Sequence, residues 1–297
     1  MREGKAPLSV CIVARNEADR LEPCLQSVLW ADQIVLLDLQ SSDETAALAL
    51  RFGADVVSHE PFPVVEPLRN VVAAHARHDW VLALDPDERV SEELARKLAE
   101  VAKETSFDIV EIPKMNFDLG YPATHSALRH DHKPLMYRRS VVTWPEVPNA
   151  LPSLDGLRVL RLEPRDELSI IHDRNRNVAE AVERIIRYAP AQAQSMIDAG
   201  EVFTAADMLR TLTGKSYRQF VHAESLRDGV PGLLRAVILV NFHFYVWAAF
   251  WQQSGATRTE ADDRLLLRID RLLRLVRRVV SVGLRIRRLA RRLSARS

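Results

Sequence analysis

Three carboxylates, Asp85, Asp87 and Glu88, crowd the end of the stretch Trp80–Val90. Two acids one residue apart can hold a hard divalent cation whose remaining positions stay open to phosphate oxygens. The same stretch also reads as a surface turn entering a helix, with Ser91 as N-cap and Glu92 and Glu93 in the first turn. The residues ahead of the acids bear on the choice. Trp80, Val81, Leu82, Ala83 and Leu84 form an apolar run without polar alternation, which predicts a strand covered on both faces, in the middle of a mostly parallel sheet. Pro86 cannot donate to a strand ladder and should end it. In open α/β sheets ligands gather beyond the carboxyl ends of strands, which is where these acids fall.

The elements that must position this end are legible upstream. Leu8–Ala14 predicts a buried strand, and Arg15-Asn16-Glu17 leads from it into a helix to about Leu29, with Leu21, Cys24, Leu25 and Val28 on one face. Ile34–Asp38 is a second apolar strand that ends in an acid. The polar run Gln40–Thr45 opens a helix through Arg51, which Gly53 is placed to stop. Asp55–Ser58 reads as a short strand, Glu60–Pro67 as a proline-rich loop and Leu68–Ala76 as a helix. Such alternation predicts parallel β-α-β units with right-handed crossovers, a Rossmann-like half. No Gly-x-Gly-x-x-Gly turn is present, which argues against a dinucleotide fingerprint.

Glu92–Lys103 follows as an amphipathic helix. From Ile109 to about Ile171 the texture changes to short strands, Ile109–Pro113, Leu135–Arg138, Leu157–Leu162 and Leu168–His172, with His125, His130, Asp131, His132 and Trp144 in loops. After Asn175 the pattern is helical, and Val178, Val182, Ile185, Ile186, Ala189 and Ala193 are expected to share one apolar face. Leu233–Trp251 approaches the length of a bilayer span, but Arg235, Asn241 and His243 interrupt it, so a buried or interfacial helix is expected. The chain divides on this reading into residues 1–175, 176–263 and 264–297.

With 47% hydrophobic and 27% charged residues, the 297-residue chain can bury a core and is not of disordered type. Its two cysteines, Cys11 and Cys24, suggest neither a disulfide framework nor a zinc site, and the first residues lack the apolar stretch of a signal peptide. A reducing cytoplasm is the expectation. The net charge of +1 conceals an asymmetry: Arg264–Ser297 holds twelve arginines and one acid, Asp270, leaving 29 bases against 39 acids, near −10, elsewhere. In that tail Ile269, Leu272, Val276, Val279, Ile286 and Leu293 fit alternating steps of three and four, with Gly283 and Ala290 in the same register. The pattern suits an interfacial helix on an anionic membrane surface, or a coiled-coil seam joining copies in a homo-oligomer. Arginine dominates the polar positions with scarcely any glutamate to pair, which favours the membrane. A nucleic-acid role has neither motif nor aromatic interleaving behind it.

Taken in order, Ala14-Arg15-Asn16-Glu17, Asp38, Ser41-Ser42-Asp43-Glu44-Thr45, Arg69-Asn70 and Leu84-Asp85-Pro86-Asp87-Glu88 resemble the family 2 glycosyltransferases of GT-A fold. The likeness is greatest to the lipopolysaccharide-core glucosyltransferase group, whose members read KNEE, DSGSTDxT, ARN and LDADE at these places. It covers residues 8 to 100 well and continues more faintly through His172 and Tyr188 to Asp228-Gly229. The resemblance implies an inverting hexosyltransferase with a nucleotide-sugar donor, a UDP-sugar foremost, and Mg²⁺ or Mn²⁺. It implies a lipid-linked or envelope-glycan acceptor, and with the basic tail it places the enzyme peripherally on the inner membrane face.

The resemblance also implies roles. Ala14, Arg15 and Glu17 would line the base pocket, Asp38 would bind base or ribose, and Arg69 would approach base or diphosphate. Asp87 would bind the metal directly, and Asp85 the ribose or a metal-bound water. His172 would complete the metal shell or serve only as a core histidine, and Asp131 would be the catalytic base. Gln40 and Leu39 stand where the group has glycine and serine, Pro86 replaces a small residue, and Val147-Pro148-Asn149 occupies the place of a Val-His-Glu. These departures keep open a second reading, a degenerate GT-A protein acting as a membrane-surface scaffold. A nucleotidyltransferase would need a glycine-rich, lysine-containing loop after the first strand, and Arg15-Asn16-Glu17 is no such loop.

Overall fold

Strand β1 (Ala6–Ala14) is apolar on both faces and is buried along nearly its whole length. Its parallel neighbours are β2 (Ala31–Asp38) and β4 (Trp80–Leu84), and β3 (Asp55–Ser58) extends the sheet beyond β2. Helices α1 (Ala18–Ser27), α2 (Thr45–Arg51) and α3 (Leu68–Ala74) form the connections. Leu21, Cys24, Leu25 and Val28 are buried as their spacing predicts. The computed structural model describes residues 4–125, 128–275 and 277.

Beyond β4 the sheet changes character. It continues through β8 (Asp131–Arg138), β6 (Ile109–Asp118), β10 (Ile170–Asn175) and β5 (Glu88–Val90), with β7 (Tyr121–Pro122) and β9 (Val159–Arg161) beside β6. Here β4–β8, β8–β6 and β10–β5 are antiparallel while β10–β6 is parallel. The sheet is therefore mixed rather than mostly parallel. The physical reason is that β6 and β8 follow each other without a helical crossover and pair antiparallel, whereas β9 and β10 return parallel to β6 only after longer connections. The result is a GT-A architecture: a Rossmann-like half, a mixed half, and helices after Asn175.

Strand β5 was hidden in the sequence because it is short and adjoins α4 (Glu92–Val101). The capping reading holds, since Ser91 Oγ accepts the Leu94 N–H at 3.1 Å. It does not compete with a site, because the chain makes its turn at the acids before the helix begins. Register then sets the level of the strand ends: Ala14 pairs with Asp38, and Ile12 with Leu84. Asp38 and the Asp85–Asp87 turn thus emerge at the same edge of the sheet.

The helical region comprises α5 (Val178–Asp198), α6 (Ala205–Tyr217) and α7 (Gly229–Gln253). The predicted single face of α5 is corrected. Ala181, Ile185, Ala189 and Ala193 are buried, whereas Val178, Val182 and Ile186 are exposed. The two sets follow i, i+4 rows on adjoining strips, and the row of small residues is the one that packs. Ala193 meets Trp247 and Phe250, which make edge contacts with Phe203. Helix α7 is apolar and long enough to cross a membrane by length and composition, yet Gly232, Arg235, Ala236, Val246, Trp247 and Phe250 are buried within the protein. A further helix covers 260–275; most of the basic tail lies outside the described residues.

Candidate active site

Two loops build the floor of the site by bonding to each other. Asn16 and Gln40 both adopt left-handed backbone, each with φ of +54°. The Asn16 N–H donates to Ser41 Oγ at 2.9 Å, and Ser42 N–H donates to Asn16 Oδ1 at 2.7 Å. Asp43 Oδ2 accepts the Ala18 N–H at 3.1 Å, so an acid of the second loop caps the first turn of α1. The two sequence motifs are thus one structural unit.

Beside this unit lies a cavity of about 470 Å³ at the carboxyl ends of β1 and β4. Ala14, Arg15, Glu17, Asp85 and Asp87 line it, as do Pro61–Pro63 of the proline-rich loop and Arg184, Arg187 and Tyr188 of α5. Asp38 is buried at the end of β2, and its neighbours Ala14 and Leu39 face the cavity. Its Oδ2 accepts the Ser41 N–H at 3.2 Å, and its buried Oδ1 has no hydrogen-bond partner among the described residues. A second cavity of about 350 Å³ lies across Asp85, lined among others by Arg69, Asp131, Trp144, His172 and Glu66. Asp85 and Arg184 border both spaces.

The acids are held by cations. Asp85 Oδ1 accepts from Arg69 Nη2 at 3.0 Å, and the Arg69 guanidinium lies 4.7 Å above the Trp144 ring. Asp87 Oδ2 accepts from Arg184 at 3.0 Å and Arg20 at 3.4 Å, with His172 Nε2 at 3.6 Å. Burial alone would raise both acids. His172, Arg184 and Arg20 hold Asp87 well below the usual carboxylate range instead, while Arg69 and Lys114 lower Asp85. Glu88 lies beneath, fully buried, bonded to Lys114 and to the Asp85 N–H. Glu17 goes the other way: burial and the charge of Asp87 push it up to about 7.

The orientation of His172 follows from its neighbour. Asn116 Nδ2 donates to the Leu128 carbonyl at 2.7 Å, so Asn116 Oδ1 must accept, and His172 Nδ1 supplies that proton at 2.7 Å. Nε2 is left facing Asp87. A hydrogen bond of this kind fixes the tautomer and the ring orientation of the imidazole. Among the described residues no three His, Cys, Asp or Glu side chains already form a metal cage. Asp85, Asp87 and His172 are of the donor types that a divalent ion takes, but here the two carboxylates are bonded to arginines instead of converging as a cage. Asp131 lines the second cavity, with its carboxylate 2.9 Å from Lys133 Nζ.

Arg184 and Arg187 were missed in the sequence. Their one signal was spacing, since with Tyr188 they form a polar stripe on α5 that flanks its buried row, and Arg184 and Tyr188 line one cavity with Ala181 and Ile185.

The sequence profile described as "Glycosyl transferase family 2" matches residues 9–159. The chain belongs to glycosyl transferase family 2. An uncharacterized glycosyltransferase of Rickettsia bellii is 34% identical over 88 residues, covering 29% of this family 2 chain and 30% of its own length. Matches of this local kind span 21–31% of the relatives concerned. The lipopolysaccharide core biosynthesis glycosyltransferase LpsC of Rhizobium meliloti is 22% identical over 88% of this chain and 98% of its own. Glucosyl-3-phosphoglycerate synthase from Mycobacterium tuberculosis, solved with Mn²⁺ and UDP, covers 67% of this chain and 82% of its own at 18% identity and a TM-score of 0.45.

Proposed function

We propose that this family 2 protein is an inverting, divalent-metal-dependent glycosyltransferase that takes a sugar from a UDP-sugar to a lipid-linked or cell-envelope glycan. One observation carries the reading: motif residues from separate stretches, Ala14, Arg15 and Glu17 with Asp85 and Asp87, line one cavity at the carboxyl ends of neighbouring strands. The full-length likeness to LpsC supports an envelope acceptor.

Asp38, Ala14, Arg15 and Glu17 serve the nucleoside end of the donor in this reading, and Arg69 its base or diphosphate. Arg184 and Arg187 present guanidinium forks that suit phosphate oxygens. Asp87, His172 and Asp85 would hold Mg²⁺ or Mn²⁺, which supplies Lewis-acid charge to the leaving diphosphate. The acceptor enters across Asp85, where a carboxylate removes its proton on the face opposite the leaving group; the resemblance nominates Asp131. Exposed Val230, Leu234, Val237, Phe244 and Trp251 on α7 support placement on a membrane surface next to the basic tail, and a seam between copies remains the other use of that tail.

Calorimetric titration of UDP, with and without Mn²⁺, tests the assignment. Metal-dependent binding that Asp87→Ala abolishes is expected. Binding of no nucleoside diphosphate, or indifference to Asp87→Ala, overturns it. Binding without turnover of any sugar nucleotide would favour the scaffold reading.

A further inference from the structure

Glu66 lies in the proline-rich loop ahead of α3, with only 8% of its surface exposed. Its Oε1 accepts the Asn149 N–H at 2.9 Å, so the carboxylate is fixed by the segment that stands in place of the group's His-Glu. Asn149 itself adopts left-handed backbone with φ of +60° to make that turn. Oε2 is closed to bulk solvent and has no hydrogen-bond partner among the described residues. A bare buried oxygen of this kind is destabilising, and a ligand donating a hydrogen bond would satisfy it.

The residue borders two cavities on the acceptor side of Asp85, of about 170 and 350 Å³. Facing the same space are Arg69 on α3, Asp85 beyond β4, Arg184 and Tyr188 on α5, and His172 and Arg174 on β10. Asp131 differs in its surroundings: its side chain is 36% exposed and already occupied by the ion pair with Lys133.

We propose that Glu66, rather than Asp131, receives the proton of the acceptor hydroxyl; this rests on the transferase reading above. In the transfer the acceptor O–H bond breaks and its proton passes to Oε2. The freed electron pair on oxygen forms the new bond to the anomeric carbon. The anomeric C–O bond to the diphosphate breaks, and its electrons leave with the nucleoside diphosphate. Burial lifts Glu66 above the ordinary carboxylate range despite hydrogen bonds from its own and the Asn149 amides and the charge of Arg69. A base raised toward the working pH removes a proton more effectively.

The test uses the full chain, Mn²⁺ and UDP-glucose with water as acceptor. Glu66→Gln is expected to lower kcat roughly 10²–10⁴-fold, leave UDP affinity within about twofold, and remove the acidic limb of kcat/KM against pH. Glu66→Ala should regain turnover when sodium formate supplies a small carboxylate, a rescue that a purely structural role would not show. Asp131→Asn should keep the limb. Should Glu66→Gln melt early, Glu66→Asp is expected to retain the limb at reduced rate, and its loss there refutes the proposal. Turnover of Glu66→Gln within about threefold of the parent, or a limb that disappears only in Asp131→Asn, overturns Glu66 alone. A parent chain that neither binds UDP nor turns over any donor overturns the transferase reading and Glu66 with it.

Discussion

Replacing Arg235 with methionine should loosen the helical region from the sheet. Arg235 projects from α7 with its side chain 1% exposed, between Asp228 at 2% and Asp118 at 4%. Its Nη1 donates to Asp228 Oδ2 at 3.0 Å, and its Nε lies 3.3 Å from Asp118 Oδ2, close enough for an ion pair though not aligned as a hydrogen bond. Asp228 Oδ1 also gathers Thr124 and the His125 N–H, while Asp118 Oδ1 takes Asn175 Nδ2 at 2.7 Å. This one cation therefore joins α7, the end of β6, the end of β10 and the loop after β7. In Arg235→Met the volume is nearly kept but two buried carboxylates lose their counter-charge, a loss of about 3–5 kcal/mol. For a chain of this size that corresponds to a melting point lower by on the order of 10 °C. Adding Asp118→Asn and Asp228→Asn removes the stranded charges and should recover most of the loss. Urea titration followed by circular dichroism measures both variants. If Arg235→Met stays within about 1 kcal/mol of the parent, the triad is not what docks the helices, and the reasoning fails.

Gln40→Gly should stabilise the protein: left-handed backbone costs a non-glycine residue about 1–2 kcal/mol, against about 0.4–1 kcal/mol of added chain freedom in the unfolded state. A small rise in melting temperature by differential scanning fluorimetry is expected, and a fall contradicts it. Glu17, pushed up to about 7, is neutral below that pH and ionised above it, where it faces an anionic nucleotide in the same cavity. UDP affinity at fixed Mn²⁺ should therefore fall between about pH 6 and pH 8, and Glu17→Gln should flatten the dependence; an unchanged slope in that variant removes Glu17 as the cause. Deleting residues 264–297 should abolish low-salt binding to vesicles containing anionic lipid, measured by co-sedimentation, whereas loss of oligomers instead supports the seam.

What was legible in the sequence was local. Asp85 and Asp87 follow an apolar strand directly, and the alternation before them dictates which edge of the sheet they reach. Arg184 is 97 residues from Asp87 and Lys114 is 26 from Glu88, and nothing in the intervening pattern joins them. Only packing shows which strip of α5 is buried, and hence which arginines turn to the cavity. Asp38 shows the limit from the other side, since it does end its strand, but register alone could not tell that its side chain is buried and takes the Ser41 N–H.

Gln40 carries that point furthest. Its side chain argues against positive φ, so the sequence suggested a loop altered where the group has glycine. The loop takes the left-handed turn regardless. The Leu39 N–H is bonded to the Ala14 carbonyl at 2.9 Å before it, and Ser41 and Ser42 are bonded to Asn16 after it. Several bonds outweigh about 1–2 kcal/mol of local strain, so the departure falls on stability and leaves the shape of the nucleotide loop intact. By the same logic, what Val147-Pro148-Asn149 takes away is chemistry, because no backbone bond can replace a lost carboxylate. That is why a second acid, already buried and bonded to Asn149, matters more to this site than the altered loop.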